Sequence, residues 1–376
     1  MKKNSSVSHL PPGSKATLLN ALENAESILT GKHVTAGFDG FTDTIARIIR
    51  KKRSGKPPAY FTSIKEFGEY ITGKHSASFS LEIEETNKKP GGNMPLMSHT
   101  LGSLGIKVDC IGAFGYPQTD EIFKTMSPNC ELNSFAEPGS STAFEFRDGK
   151  MFLAQMGDLN STGWDEITNK IGADKLKTII LESDLVCLLN WSEIDASTNI
   201  WKGLLEDIFP FFHANKNPYL FIDLSDCSKR SKDALGEALQ LINEFGKYGR
   251  VILSLNKNEA GIISSQVSPK KRFNDLLNQG GKIFASVNLH ALLIHSARET
   301  IALRGEEQVR IPTFYTPKPL ISTGAGDNFN AGFCAAQLLE LDLTTAVVFA
   351  NAAAGFYIRS GIPPRISDIK TFLEKQ

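Results

Sequence analysis

The chain has 376 residues, enough for one large α/β unit carrying a small appendage. Lysine plus arginine and aspartate plus glutamate number 41 each, so the formal net charge is zero and the basic surplus of a nucleic-acid binder is excluded. No run approaches the roughly 18 uninterrupted apolar residues of a membrane helix, while 41% hydrophobic content suits a globular protein with a sizeable core.

Residues 1–15 open with two lysines, Lys2 and Lys3, with no apolar run behind them, so no signal peptide is expected and the chain reads as cytoplasmic. The five cysteines (Cys110, Cys130, Cys187, Cys227, Cys334) are scattered and lack CxxC spacing, which fits reduced thiols better than a disulfide frame or a zinc site. From Ser14 to Leu29, Leu18, Leu19, Leu22, Ala25, Ile28 and Leu29 share one face of a predicted helix, which Gly31 ends. His33–Gly37 then reads as a short strand, and the lysine-rich run Arg50–Lys56 as a solvated loop. Ser78–Glu84 alternates strictly, as a strand with one wet face does. Thr142–Gln155 predicts a hairpin with Asp148-Gly149 at its turn.

Short apolar runs at Val108–Ala113, Leu185–Leu189, Tyr219–Asp223, Val251–Leu255 and Ala291–His295 are mostly separated by helix-like stretches. That pattern predicts an α/β fold with a mostly parallel central sheet and helices on both faces. The half-wet strands do not fit inside such a sheet. They predict a small β lid, formed from segments within about residues 44–90 and 136–157 of a single domain spanning 1–376.

The most informative segment is Leu320–Leu339, where Thr323-Gly324-Ala325-Gly326-Asp327 precedes small and apolar residues at helical spacing. A glycine turn opening a helix exposes unpaired N–H groups at the positive end of the helix dipole, where a transferring phosphoryl group can be held. A carboxylate on that turn is placed to accept a proton from an attacking hydroxyl. For an isolated motif the plainer reading is a helix cap, because short glycine motifs recur by chance.

This segment resembles the second signature, DTxGAGD, of the ribokinase (PfkB) carbohydrate kinase family. Gly91-Gly92-Asn93-Met94-Pro95-Leu96-Met97, leading to Leu104-Gly105, resembles the first signature, and Asn256-Lys257-Asn258-Glu259 resembles the family's NxxE. Phe349–Ala354 followed by Arg359-Ser360-Gly361 resembles the alanine-rich helix and glycine turn beside the nucleotide base. These matches run in order from about His33 to the carboxyl end.

The resemblance implies a ribokinase-like fold and a Mg·ATP-dependent kinase acting on a hydroxyl of a sugar-like small molecule. Asp327 would be the general base, and Gly324, Ala325 and Gly326 the anion hole. Asn256 and Glu259 would organise Mg²⁺. Asn256, Ser296, Arg298, Thr323, Asn351 and Gly361 would bind the nucleotide. Asp39, with Asp43 as second choice, would take the sugar hydroxyls together with Gly91, Gly92 and Asn93. His295 and His99 are read as structural, since this chemistry needs no imidazole.

The family's leading aspartate, often part of a monovalent-cation site, is absent here, and its first-signature asparagine falls on Leu96, so the sugar contacts should differ from those of ribokinase. Nucleoside phosphorylation and ADP as donor share these motifs. A non-catalytic sugar- or nucleotide-sensing protein is the alternative of another class, against which the intact Asp327 argues. A dehydrogenase would need GxGxxG after the first strand, where none stands. The half-wet lid, with Phe79, Leu81 and Ile83 on one face, predicts either a homodimer through the lids or cover from the Arg50–Pro90 insert.

Overall fold

The computed structural model describes residues 10–212, 216–269 and 275–376. The first nine residues, on which part of the leader reading rests, lie outside the described residues. In chain order the early strands are β1 (His33–Gly37), β2 (Phe41–Lys51), β3 (Ala59–Tyr60), β4 (Glu82–Gly91) and β5 (Lys107–Gly112). Then come β6 (Cys130–Ser134), β7 (Gly139–Phe146), β8 (Gly149–Gln155), β9 (Leu185–Leu189) and β10 (Tyr219–Asp223). β11 (Arg250–Asn256), β12 (Ala291–His295), β13 (Glu299–Arg304) and β14 (Glu307–Pro312) complete the set.

Nine strands form the large sheet in the order β14-β13-β12-β11-β10-β9-β1-β5-β6. It is parallel from β6 to β12, and β13 and β14 add an antiparallel edge. Alternate residues of the central strands enter two different cores. Leu185, Cys187 and Leu189 pack with the helices Asn93–Ser103, Ala325–Leu338 and Leu343–Ser360 on one face. Val186 and Leu188 pack on the other, with helices that include Ser197–Asp207 and Lys232–Phe245. Burial on both faces is why these strands read as unbroken apolar runs.

The small sheet has the order β3-β2-β7-β8, with β4 also paired to β2. β2 follows β1 after a short connection that carries Asp39, so the lid hangs from the carboxyl end of β1. The helix Ile64–Thr72, drawn from the Arg50–Pro90 insert, covers the lid's outer face. There Phe61 and Phe67 join Ala46, Ile48 and Phe144 in a small core. The predicted hairpin is present as β7 and β8, with Arg147 and Asp148 as its turn residues in place of Asp148-Gly149.

Three element predictions need correction. The single helix Ser14–Leu29 is two helices, Ser14–Ala21 and Ala25–Thr30, broken near Asn24, whose side chain competes poorly for helix. The break turns Ile28 outward while Leu18, Leu22, Ala25 and Leu29 stay buried. The strand placed at Ser78–Glu84 begins at Glu82 and runs to Gly91. Phe79 turns instead onto the lid helix, edge-on to Tyr70 with ring centroids 5.8 Å apart. Finally, Arg50 and Lys51 of the run read as a loop belong to the end of β2. Among the described residues no helix is long and apolar enough to cross a membrane, and all five cysteines are free thiols.

Candidate active site

Gly324 sits at φ 90°, a conformation costly for any residue with a Cβ, and a Cβ there would lie 2.8 Å from Tyr357 Oη. The turn is then locked from two other helices. Tyr357 Oη donates to the Thr323 carbonyl at 2.9 Å. Asn328 Nδ2 donates to the Gly324 carbonyl at 2.8 Å, and Thr100 Oγ1 donates to Asn328 Oδ1 at 2.9 Å. The helix Ala325–Leu338 therefore starts at a fixed point, with first-turn N–H groups that have no intrahelical partner. One of them, that of Ala325, turns back to the Ser322 carbonyl at 3.2 Å.

Asp327 occupies this first turn and is 9% exposed. Burial pushes its carboxyl well above the usual carboxylate range, and the charges of Asp223 and Asp39 push it further, while Lys89 pulls it back. Asp39, directly after β1, is fully buried. It accepts hydrogen bonds from the N–H groups of Asn93 (2.8 Å) and Met94 (2.9 Å) and from Asn190 Nδ2 (2.5 Å). Its carboxylate caps the helix Asn93–Ser103, and desolvation raises its pKa to about 6. Asp43, on β2, accepts from Ser141 Oγ at 2.6 Å and is raised by burial, with Lys89 as its counter-charge. The paired glycines make these approaches possible. A Cβ on Gly91 would lie 2.2 Å from Asp43 Cγ, and one on Gly92 would lie 2.7 Å from Asp39 Oδ2.

Asn256 and Glu259 cap the helix Lys257–Val267 reciprocally. Asn256 Oδ1 accepts from the Glu259 N–H at 3.0 Å, and Glu259 accepts from the Asn256 N–H at 2.8 Å and from Asn256 Nδ2 at 2.5 Å. Burial, then Asp223, raises the Glu259 pKa to about 8. Among the described residues no group of three or more His, Cys, Asp or Glu side chains converges on a metal position.

A cavity of about 710 Å³ adjoins the turn, bordered by Asn256, His295, Ser296, Ala325, Gly326 and Asn351 among others. Asn351 is spent on bracing it: its Oδ1 accepts from Thr300 Oγ1 at 2.8 Å and its Nδ2 donates to the Pro312 carbonyl at 3.2 Å. His295 stacks near Phe329, and burial lowers its pKa to about 4, so the ring is neutral at ordinary pH. Three residues expected at the nucleotide do not border this cavity. Arg298 stacks over the ring of Tyr315, a wall residue, at 4.0 Å. Thr323 spends its carbonyl on Tyr357. Gly361, at φ 76°, ends the helix Leu343–Ser360. A second cavity of about 760 Å³, lined by Cys227, Lys232 and Gln266, lies on an outer flank and shares only Lys257 and Asn258 with the first.

Sequence reasoning missed Asp223, at the carboxyl end of β10. Ser254 Oγ donates to Asn330 Oδ1 at 2.7 Å, and Asn330 Nδ2 donates to Asp223 Oδ2 at 2.8 Å. Asp223 thus joins the helix of Asp327 three residues along. The signal was available, since an aspartate closing an apolar strand stands where α/β sheets place ligands. Asn190, Tyr357 and Lys89 gave no such signal, because their partners are distant in sequence.

Residues 14–376 match the family model of prokaryotic ketohexokinases. The chain belongs to this family. A ketohexokinase of Haloferax volcanii is similar at 25% identity over 354 residues, covering 93% of each chain. The fold is shared with a probable sugar kinase of Rhizobium etli (TM-score 0.64, 16% identity, 92% of this chain and 98% of that one). It is also shared with a putative ribokinase II of E. coli crystallised with ATP and Mg²⁺ (TM-score 0.59, 14% identity, 92% and 99%). The ketohexokinase family membership establishes an ATP-dependent sugar kinase, a phosphotransferase with a hydroxyl acceptor, as the motifs implied.

Proposed function

We propose that this kinase transfers the terminal phosphate of Mg·ATP to a hydroxyl of a ketohexose, with Asp327 as general base. The observation that carries the reading is the placement of Asp327 on a glycine turn that borders the 710 Å³ cavity on one side and meets the lid on the other. Nucleotide in that cavity would bring its terminal phosphate to the helix start, where the Gly324, Ala325 and Gly326 N–H groups can receive developing charge. The environment that raises the Asp327 pKa also suits it to take the acceptor's proton. Asp43, which accepts from Ser141 where Asp39 accepts from Asn93, Met94 and Asn190, has more capacity left for sugar hydroxyls, so we reverse the order read from sequence.

The donor set fits a divalent cation. Asp223 and Glu259 are buried carboxylates whose charges repel, and hard oxygen ligands of this kind suit Mg²⁺ that keeps several waters. When bound, the ion would neutralise phosphate charge, and Asn256 and Glu259 would hold it through water, since they already bond each other.

A coupled ADP-release assay across ketohexoses, aldoses, polyols and nucleosides, with ATP and ADP as donors, tests this. Turnover with Mg·ATP and a ketohexose well above the other classes is expected. A preference for nucleosides, or turnover only with ADP, would overturn it.

Small molecules are the expected partners, in keeping with zero net charge. The lid helix covers most of the apolar face that motivated lid-to-lid pairing, yet Phe79, Ile83 and Leu153 remain 44%, 47% and 59% exposed. These residues support a homodimer through the lids. Sedimentation at micromolar concentration should give a dimer, which Phe79→Asp/Leu81→Asp dissociates; a wild-type monomer would reject it.

A further inference from the structure

Two lysines of the lid, Lys89 and Lys150, have no part in the transfer as described above. In the antiparallel pairing of β2 with β4, Lys89 stands opposite Asp43. In the hairpin, Lys150 stands opposite Glu145, and its Nζ lies 3.0 Å from Glu145 Oε1. Lys150 Nζ also reaches Thr323 Oγ1 at 3.5 Å, across from the lid to the residue that precedes Gly324. Side chains alternate between the two faces of a strand. Phe144, Phe146 and Met151 point to the lid core under the helix Ile64–Thr72, so Glu145 and Lys150 point the other way, toward the glycine turn.

The charges around this face are few. Lys89 is attracted by Asp43, Asp327 and Glu145 and repelled by Lys150. Two ammonium groups are therefore brought to the lid face that meets the positive end of the helix Ala325–Leu338. Asp43, Glu145 and Asp327 balance them at rest, and a phosphate anion arriving at the turn would compete with those carboxylates for both. The anion the established reaction brings to this turn is the phosphoryl group in flight.

We propose that Lys89 and Lys150 complete the phosphoryl site from the lid side, opposite the N–H groups of the glycine turn. This deepens the reading that places the transfer at Asp327 and rests on it. During transfer the bond from the β–γ bridging oxygen to the γ-phosphorus breaks, and its electron pair leaves with ADP. The acceptor oxygen bonds to phosphorus, and its proton passes to Asp327. The ammonium groups balance the charge carried by the phosphoryl oxygens during that exchange. Lys89 also faces Asp327 and Asp43 together, which ties acceptor, base and phosphoryl group to one closed position of the lid.

The test uses the full chain and Lys89→Met, Lys150→Met and Lys89→Arg variants. Calorimetry measures binding of Mg·ADP alone and of Mg·ADP with tetrafluoroaluminate, a mimic of the transferring group, so neither readout requires an acceptor. The expected result for Lys89→Met is a fall in kcat, and in affinity for the aluminium fluoride complex, of about a hundredfold, with Mg·ADP affinity changed by less than about threefold. Lys150→Met should show the same split, and Lys89→Arg should recover most of the loss while its activity persists to higher pH than the wild type's. Equal losses for Mg·ADP and the mimic, or an unchanged mimic affinity in both Met variants, would overturn the proposal. If the wild type binds the mimic but phosphorylates no ketohexose, the acceptor reading fails while the lysine comparison still decides this one.

Discussion

Tyr357 shows how much of the site depends on residues outside its motifs. Its hydroxyl holds the Thr323 carbonyl, and the same oxygen, with the positive φ, is why Gly324 tolerates no Cβ. Removing that hydrogen bond with Tyr357→Phe should loosen the turn without touching the nucleotide cavity, which Tyr357 does not border. A loss of about two- to tenfold in kcat with KM for ATP unchanged is expected, the scale of one hydrogen bond. Steady-state kinetics check this, and a rise in KM for ATP without loss of kcat would contradict it. The turn, Asp327 and Asn256–Glu259 were legible because each motif is contiguous. Tyr357, Asn190 and Lys89 were not, because each acts on a residue tens or hundreds of positions away. The order of the two candidate sugar aspartates read from sequence is reversed only by the donors around Asp39, which lie 54 to 151 positions away.

Among the elements, the parallel strands were the most readable, since burial on both faces leaves an apolar run with clear ends. His33–Gly37, Leu185–Leu189, Tyr219–Asp223 and Ala291–His295 coincide with β1, β9, β10 and β12. The lid was harder. Its strand β4 is exposed along most of its length, so alternation of polarity carries little information there, and the apolar Phe79 and Leu81 belong to contacts with the lid helix. The antiparallel edge β13–β14 went unread although its residues alternate in part. The lid core is small and centred on Phe61, which is 3% exposed and meets Phe67 and Tyr70 edge-on at 5.2 and 5.1 Å. Phe61→Ala should destabilise this unit by about 3 kcal/mol while the large sheet keeps its two cores. Hydrogen exchange should then quicken in β2, β4 and β7 and stay unchanged in β9 and β10. Uniform acceleration across both sheets would show that the lid is not a separate cooperative unit.

Across the whole molecule, a net charge of zero conceals an uneven distribution, with carboxylates collected at the carboxyl ends of β1, β10 and β11 and at the glycine turn. That arrangement has a thermodynamic sign. Glu259 is raised to about 8 from 4.5 and Asp39 to about 6 from 3.8, in both cases chiefly by burial. In those windows the native state holds protons that the unfolded chain has lost, so stability is full below the unfolded values and falls as pH rises through the folded ones. The Tm of the metal-free protein should therefore decline from about pH 5 to about pH 8.5, and added Mg²⁺ should flatten that decline by supplying positive charge beside the ionised carboxylates. Glu259→Gln should flatten it as well, while lowering stability at acid pH through the lost bond to Asn256 Nδ2. Calorimetric scans across pH measure both effects. An identical slope in the variant would remove Glu259 from the charged cluster.

The central claim is that one carboxylate on a glycine turn, set between cavity and lid, makes this fold a sugar kinase. It is tested most directly by comparing wild type with Asp327→Asn for Mg·ATP turnover on a ketohexose, alongside calorimetric ATP binding. The account predicts a fall in kcat of at least about a hundredfold with ATP affinity nearly intact. Near wild-type turnover in Asp327→Asn would contradict it.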